Sequence, residues 1–130
     1  MPIRWTVIPA QRFMFMRSSG DVTRAEVEEL IDAIVDGGAL SYDKLLDGSA
    51  GMTSMSQEEM LDLGMRFRAI HAGAAVGALA IVMPGDRGDR MQRLLGMIAA
   101  ADRPMRVFID LDKARTWLEE KIGRPVVYSW

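Results

Sequence analysis

The stretch "TRAEVEELIDAIVDGGALSYDKLLDG", residues 23–48, decides the fold. Val27, Leu30, Ile31 and Ile34 recur at helical spacing, while Glu28, Glu29 and Asp32 fall elsewhere around the turn. Thr23 with Glu26 three residues later makes a capping box, and Gly37-Gly38 supplies a left-handed stop. "DKLLDG" then reads as a short buried strand, so a helix hands over directly to a strand.

Upstream, "RWTVIPAQRFMFMRSSGDV" holds two β-like runs, 4–8 and 12–17, split by Pro9-Ala10-Gln11 and closed by Ser-Ser-Gly-Asp. Downstream, "SQEEMLDLGMRFRAIHAG" reads as a helix with Met60, Leu63, Phe67 and Ile70 on its apolar stripe and a second capping box, Ser56 with Glu59. "GALAIVMPG" is a strand, "DRGDRMQRLLGMIAAA" a helix and "PMRVFID" a strand. A last helix spans 111–122 and stops at Gly123 before Pro125. The order β-β-α-β-α-β-α-β-α predicts an α/β fold: a mixed five-stranded sheet, mostly parallel with an N-terminal hairpin, and four helices joined by right-handed crossovers. No linker or low-complexity run interrupts it, so residues 1–130 form one expected domain.

Composition narrows the function. A net charge of −2 gives no basic footprint for a phosphate backbone, so nucleic acid is not an expected partner. Zero cysteines remove disulfides, thiolate nucleophiles and Cys-ligated zinc. His71 is the single histidine, placed where its charge would suit a helix C-terminus, and neither a metal site nor a cofactor is expected. Glu26, Glu28, Glu29 and Asp32 are spread around their helix as a solvated face. "GDRGDR", residues 85–90, lacks the ending of a P-loop and the spacing of a dinucleotide fingerprint. The longest uncharged run, 69–85, is too short and too rich in Gly and Ala to span a membrane, and the N-terminus has no apolar signal core. A cytoplasmic protein is the expectation.

Two stretches carry the functional question. "KLLDGSAGMTSMSQEEM", residues 44–60, passes from an apolar run through small and sulfur-bearing residues to acidic charge. Ser56 is explained by its role as a helix N-cap, and Asp47 before Gly48 as a turn residue rather than a catalytic acid. Met52 and Met55 flank that turn in a chain with 11 methionines, a composition suited to an adaptable apolar cavity or to ordinary core. In the other stretch Phe13 and Phe15 alternate with Met14 and Met16, so one strand is apolar on both faces. Both faces are covered, or one meets a partner or a ligand; a homodimer is the expectation that follows.

At "LLDGS", "AIVMPGDRGDRM" and "RVFIDLDKARTWL" the chain resembles the SpoIIAA-like proteins, the STAS and SEC14 domain group related to anti-sigma-factor antagonists. Arg106, Val107 and Phe108, then Asp110, Ala114 and Trp117-Leu118, carry most of the likeness, with Arg90-Met91 opening the third helix. The resemblance implies a β–α superhelix whose parallel strands lie side by side, with no reversal of strand order. Where the antagonists carry a phosphorylated "DSSG", this chain has Met55, Ser56, Gln57 and Glu58, so the motif is not intact. The implied role is a non-enzymatic binding or regulatory domain, taking a nonpolar small molecule or lipid in a Met-rich pocket. The alternative is a protein-interaction module. The loop residues Asp47, Gly48, Ser49, Met52, Ser54, Met55 and Ser56 are the candidate ligand or partner site, with Met83, Arg87, Arg90 and Met91 at a cavity mouth.

Overall fold

The structure, a computed structural model, describes residues 3–52, 54–71, 76–83 and 105–127. Strand β1 (Ile3–Ile8) turns through a 3-10 helix (Pro9–Gln11) into β2 (Phe13–Asp21). Arg12 closes that turn at φ 50°, its guanidinium donating to the Ser41 hydroxyl at 2.6 Å and lying over the Tyr42 ring. Helix α1 (Arg24–Asp36), β3 (Asp43–Met52), α2 (Gln57–His71), β4 (Leu79–Val82), β5 (Met105–Phe108) and α3 (Leu111–Ile122) follow. The sheet order is β1-β2-β3-β4-β5, antiparallel only between β1 and β2, so the expected mixed sheet without strand reversal is present. Three α-helices lie among the described residues; the helix expected over 86–101, with Arg87, Arg90 and Met91, lies outside them.

Each helix begins or ends as local chemistry dictates. The Thr23 hydroxyl accepts from the Glu26 N–H at 3.4 Å while the Thr23 N–H donates to the Glu26 carboxylate at 3.2 Å, closing the capping box of α1. Asp110 caps α3 by accepting from the Asp112 N–H at 2.9 Å, and Gly123 ends it at φ 74°, a conformation that costs glycine little.

The sheet buries apolar side chains on both faces. Phe13, Phe15, Leu45, Ala80 and Val82 pack with Ala114 and Leu118 of α3 and with Val126. Met14 and Met16 point the other way, into a cluster with Ile3 and with Leu30 and Ile34 of α1. Met14 is 1% exposed and Met16 3%. The apolar surface that motivated a homodimer through β2 is therefore consumed inside one chain, each such side chain contributing roughly 1.5 to 3 kcal/mol of burial.

Strands β2 and β3 outrun the sequence pattern. Ser-Ser-Gly-Asp, expected to close a strand, continues it: Ser19, Gly20 and Asp21 pair in parallel with Ala50, Gly51 and Met52. A register shift between Arg17 and Ser19 inserts one extra residue on the β3 side, a β-bulge. Strand β4 follows β3 only as far as the Asp47↔Val82 pair, so the last part of the β2–β3 ladder projects beyond β4. Gly51 permits this closeness, because a Cβ there would sit 2.3 Å from the Ser18 hydroxyl oxygen.

Candidate functional site

The candidate loop lies at the carboxy-terminal end of the parallel strands. Asp47, the last β3 residue before the bulge, has a side chain only 9% exposed. Its carboxylate accepts from the Ser49 N–H at 3.1 Å and the Ser49 hydroxyl at 2.6 Å, and meets the Arg17 guanidinium at 3.5 Å. The carboxylate bonds its own backbone two residues on, as expected of an aspartate before glycine, but it does so at a bulge inside β3 rather than in a turn that ends the strand, with a cation added from the neighbouring strand. Gly48 is buried against β4: a Cβ on it would lie 2.8 Å from the Val82 carbonyl oxygen and 3.0 Å from the Met83 sulfur. Ser49 and Ala50 are exposed, as are Ser19 and Gly20 beside them.

Beyond the ladder, the chain is tied down again before α2. The Ser54 N–H and hydroxyl reach the Asp21 carboxylate at the tip of β2. The Glu59 N–H donates to the Ser56 hydroxyl at 3.1 Å, and the Ser56 N–H donates to the Glu59 carboxylate at 3.1 Å. Ser56 is therefore the N-cap that the capping box predicts. Met55 is half-buried; Met52 ends β3. Helices α1 and α2 are joined by two ion pairs, Arg24–Asp62 at 3.3 Å and Arg66–Asp32. The hydrogen bond that Arg24 donates to the Glu28 carboxylate, ahead of the charges of Glu28 and Asp62, holds the pKa of its guanidinium above the ordinary value.

The structure thus brings Asp47, Gly48, Ser49, Ser54 and Ser56 to one end of the sheet, with Met83 at the bulge. Arg17, Ser19, Asp21 and Ala50 belong to the same surface and were missed. For Ser19 and Asp21 the signal was a Ser-Ser-Gly-Asp string that reads as a turn. Met14 and Met16 are core. An open cleft of about 320 Å³ lies elsewhere, between β5 and α3, lined by residues such as Arg106, Phe108, Lys113 and Trp117. Phe108 and Trp117 meet at 5.6 Å between ring centroids, and none of the described residues lining that cleft is a methionine. Among the described residues no three His, Asp or Glu side chains converge as metal ligands, and no helix is long and apolar enough to cross a membrane.

The chain matches no family model and no curated protein. Solved structures do resemble it. A protein of the DUF3478 family from Shewanella loihica PV-4, described as having a SpoIIAA-like fold, superposes with a TM-score of 0.60 at 17% identity, over 89% of this chain and 93% of that one. The fold is SpoIIAA-like. An anti-sigma factor antagonist from Mycobacterium paratuberculosis matches with a TM-score of 0.54 at 20% identity, over 90% of this chain and 94% of that one. In this SpoIIAA-like chain the β3–α2 connection carries a capped serine flanked by Met55 and Gln57.

Proposed function

We propose that this chain is a non-enzymatic regulatory domain that docks a protein partner on the exposed end of the β2–β3 ladder and the first turn of α2. The carrying observation is the projecting ladder itself. Parallel strand pairs are ordinarily covered on both faces, yet Ser19, Gly20, Ser49 and Ala50 lie exposed where β4 has already stopped. Small side chains leave the backbone accessible, and the Asp47–Ser49 and Asp21–Ser54 contacts hold the surface in place before anything binds. The anti-sigma factor antagonist with the same fold acts, by its name, on another protein, which favours this reading over a small-molecule carrier. A nonpolar ligand has no comparable support, since the described lining of the cleft between β5 and α3 includes neither Met55 nor Met83. Cytoplasmic residence belongs to the same proposal.

The test is retention of a protein from the host's extract by the immobilised chain. Ala50→Arg and Ser19→Arg should abolish retention, while Val127→Arg, on the exposed segment held against Gln11 at the opposite end of the sheet, should not. Equal retention by all three variants, or an apolar adduct in native mass spectrometry with no protein captured, refutes the proposal.

A further inference from the structure

Strand β1 is the outer edge of the sheet, and its hydrogen-bonding direction follows from its neighbours. The Asp43 N–H donates to the Arg12 carbonyl across the β2–β3 ladder. Even-numbered residues of β2 therefore direct their backbone groups toward β3, and Phe13, Phe15 and Arg17 direct theirs toward β1. Their partners in β1 are Ile8, Thr6 and Arg4. Ile3, Trp5 and Val7 consequently point their N–H and C=O groups outward, where no described residue meets them.

Of the usual guards this edge carries only one charge, Arg4. Its register with β2 runs unbroken from Ile3 to Ile8, so no bulge twists it away, and it contains neither proline nor lysine. Trp5 and Thr6 are half-buried and Val7 is 40% exposed. The strand is also complementary to itself. Antiparallel pairing centred on Trp5 sets Ile3 opposite Val7 of a second copy and uses every outward backbone group of the three odd residues. Arg4, the only charge in the strand, then faces Thr6 of the second copy rather than another arginine, which would repel.

We propose that β1 pairs with β1 of a second copy, antiparallel about Trp5, to join two sheets into one across an isologous interface. The surface is separate from the projecting β2–β3 ladder, so the two proposals stand or fall independently.

Sedimentation across a concentration series tests the association. Val7→Pro removes only an outward N–H and is compatible with an edge strand, so it should weaken self-association at least about tenfold with circular dichroism unchanged. Val7→Lys, which guards the edge with charge, should do the same if the proline variant misfolds. Register is read by disulfides, with no background because the chain has no cysteine. Arg4 and Thr6 would form a non-hydrogen-bonded pair with Cα atoms about 4.5 Å apart, within disulfide reach. Arg4→Cys mixed with Thr6→Cys should cross-link as a heterodimer on oxidation, while each alone should stay reduced. A monomer at every concentration, association untouched by both Val7 variants, or cross-linking of Thr6→Cys to itself overturns the inference; an extended peptide of another protein capturing β1 in its place would overturn it equally.

Discussion

The Asp21 carboxylate at the tip of β2 accepts from both the backbone N–H of Ser54, at 3.0 Å, and its hydroxyl, at 3.2 Å. Two residues far apart in sequence thereby fix where the chain leaves β3 and approaches α2. Asp21→Ala should cost about 1 kcal/mol, because the site is exposed and water replaces part of what is lost. Amide exchange at Ser54 should accelerate by more than that at Glu59, whose N–H is bonded to Ser56. Equal acceleration at the two sites would mean that Asp21 acts on the whole helix rather than on the connection.

Ser56 offers a cap test. Ser56→Ala should lower stability by about 0.5 to 2 kcal/mol, and Ser56→Asp should be nearly neutral, since aspartate caps well and suits the positive end of a helix. Denaturant titration checks both. Large destabilisation by aspartate would show that Glu58 and Glu59 repel it more than the helix end attracts it.

Gly77 lies against the β3 start so closely that a Cβ would sit 2.3 Å from the Tyr42 carbonyl oxygen and 2.7 Å from the Asp43 nitrogen. Both are backbone atoms and have no rotamer by which to yield. Gly77→Ala should therefore cost about 1 to 3 kcal/mol or more, as overpacking does, with the melting temperature falling accordingly. Gly20→Ala meets no atom but holds φ at +68°, so its smaller loss should come from backbone strain alone.

Lys44 is a buried lysine, 4% exposed, whose ammonium donates to the carbonyls of Leu40 at 3.0 Å and Tyr42 at 2.6 Å. Lys44→Met keeps the stem and removes these donors. It should destabilise by about 1 to 3 kcal/mol, the cost of a buried acceptor left unmet. A stabilised variant would show that desolvating the charge outweighs its hydrogen bonds.

The helices were legible because their signals are local. Thr23 with Glu26, Ser56 with Glu59 and Gly123 each act within one turn, and each is found where periodicity placed it. The sequential strand order is the one that the resemblance to the SpoIIAA-like proteins implied, while the pattern of elements gave only the mixed, mostly parallel sheet. The projecting ladder did not, because Ser18, Ser19 and Gly20 favour turns in isolation, and only Gly48 to Gly51, a long way down the chain, makes them a strand. The alternation Phe13 to Met16 told of two apolar environments but not of who supplies the cover; α1 and α3, from opposite ends of the sequence, do. Of the site, Ser56 was readable as a cap and Asp47 as a residue that bonds its own backbone, though not as one inside a continuing strand, whereas the Asp21–Ser54 tie depends on a distance no local pattern encodes.

The cover over Phe13 and Phe15 bears on the order in which the chain is made. Leu30 and Ile34 can close over Met14 and Met16 soon after α1 leaves the ribosome, whereas the described residues that pack on the opposite face include Ala114, Leu118 and Val126, made much later. The segment after α3 is also what fastens the hairpin turn, Arg124 donating to the Gln11 carbonyl and pairing with Asp43 at 3.6 Å. During synthesis α1 thus closes its face of the sheet well before α3 supplies its share of the other, and in that interval a nascent chain of this kind exposes apolar surface of the sort a chaperone holds.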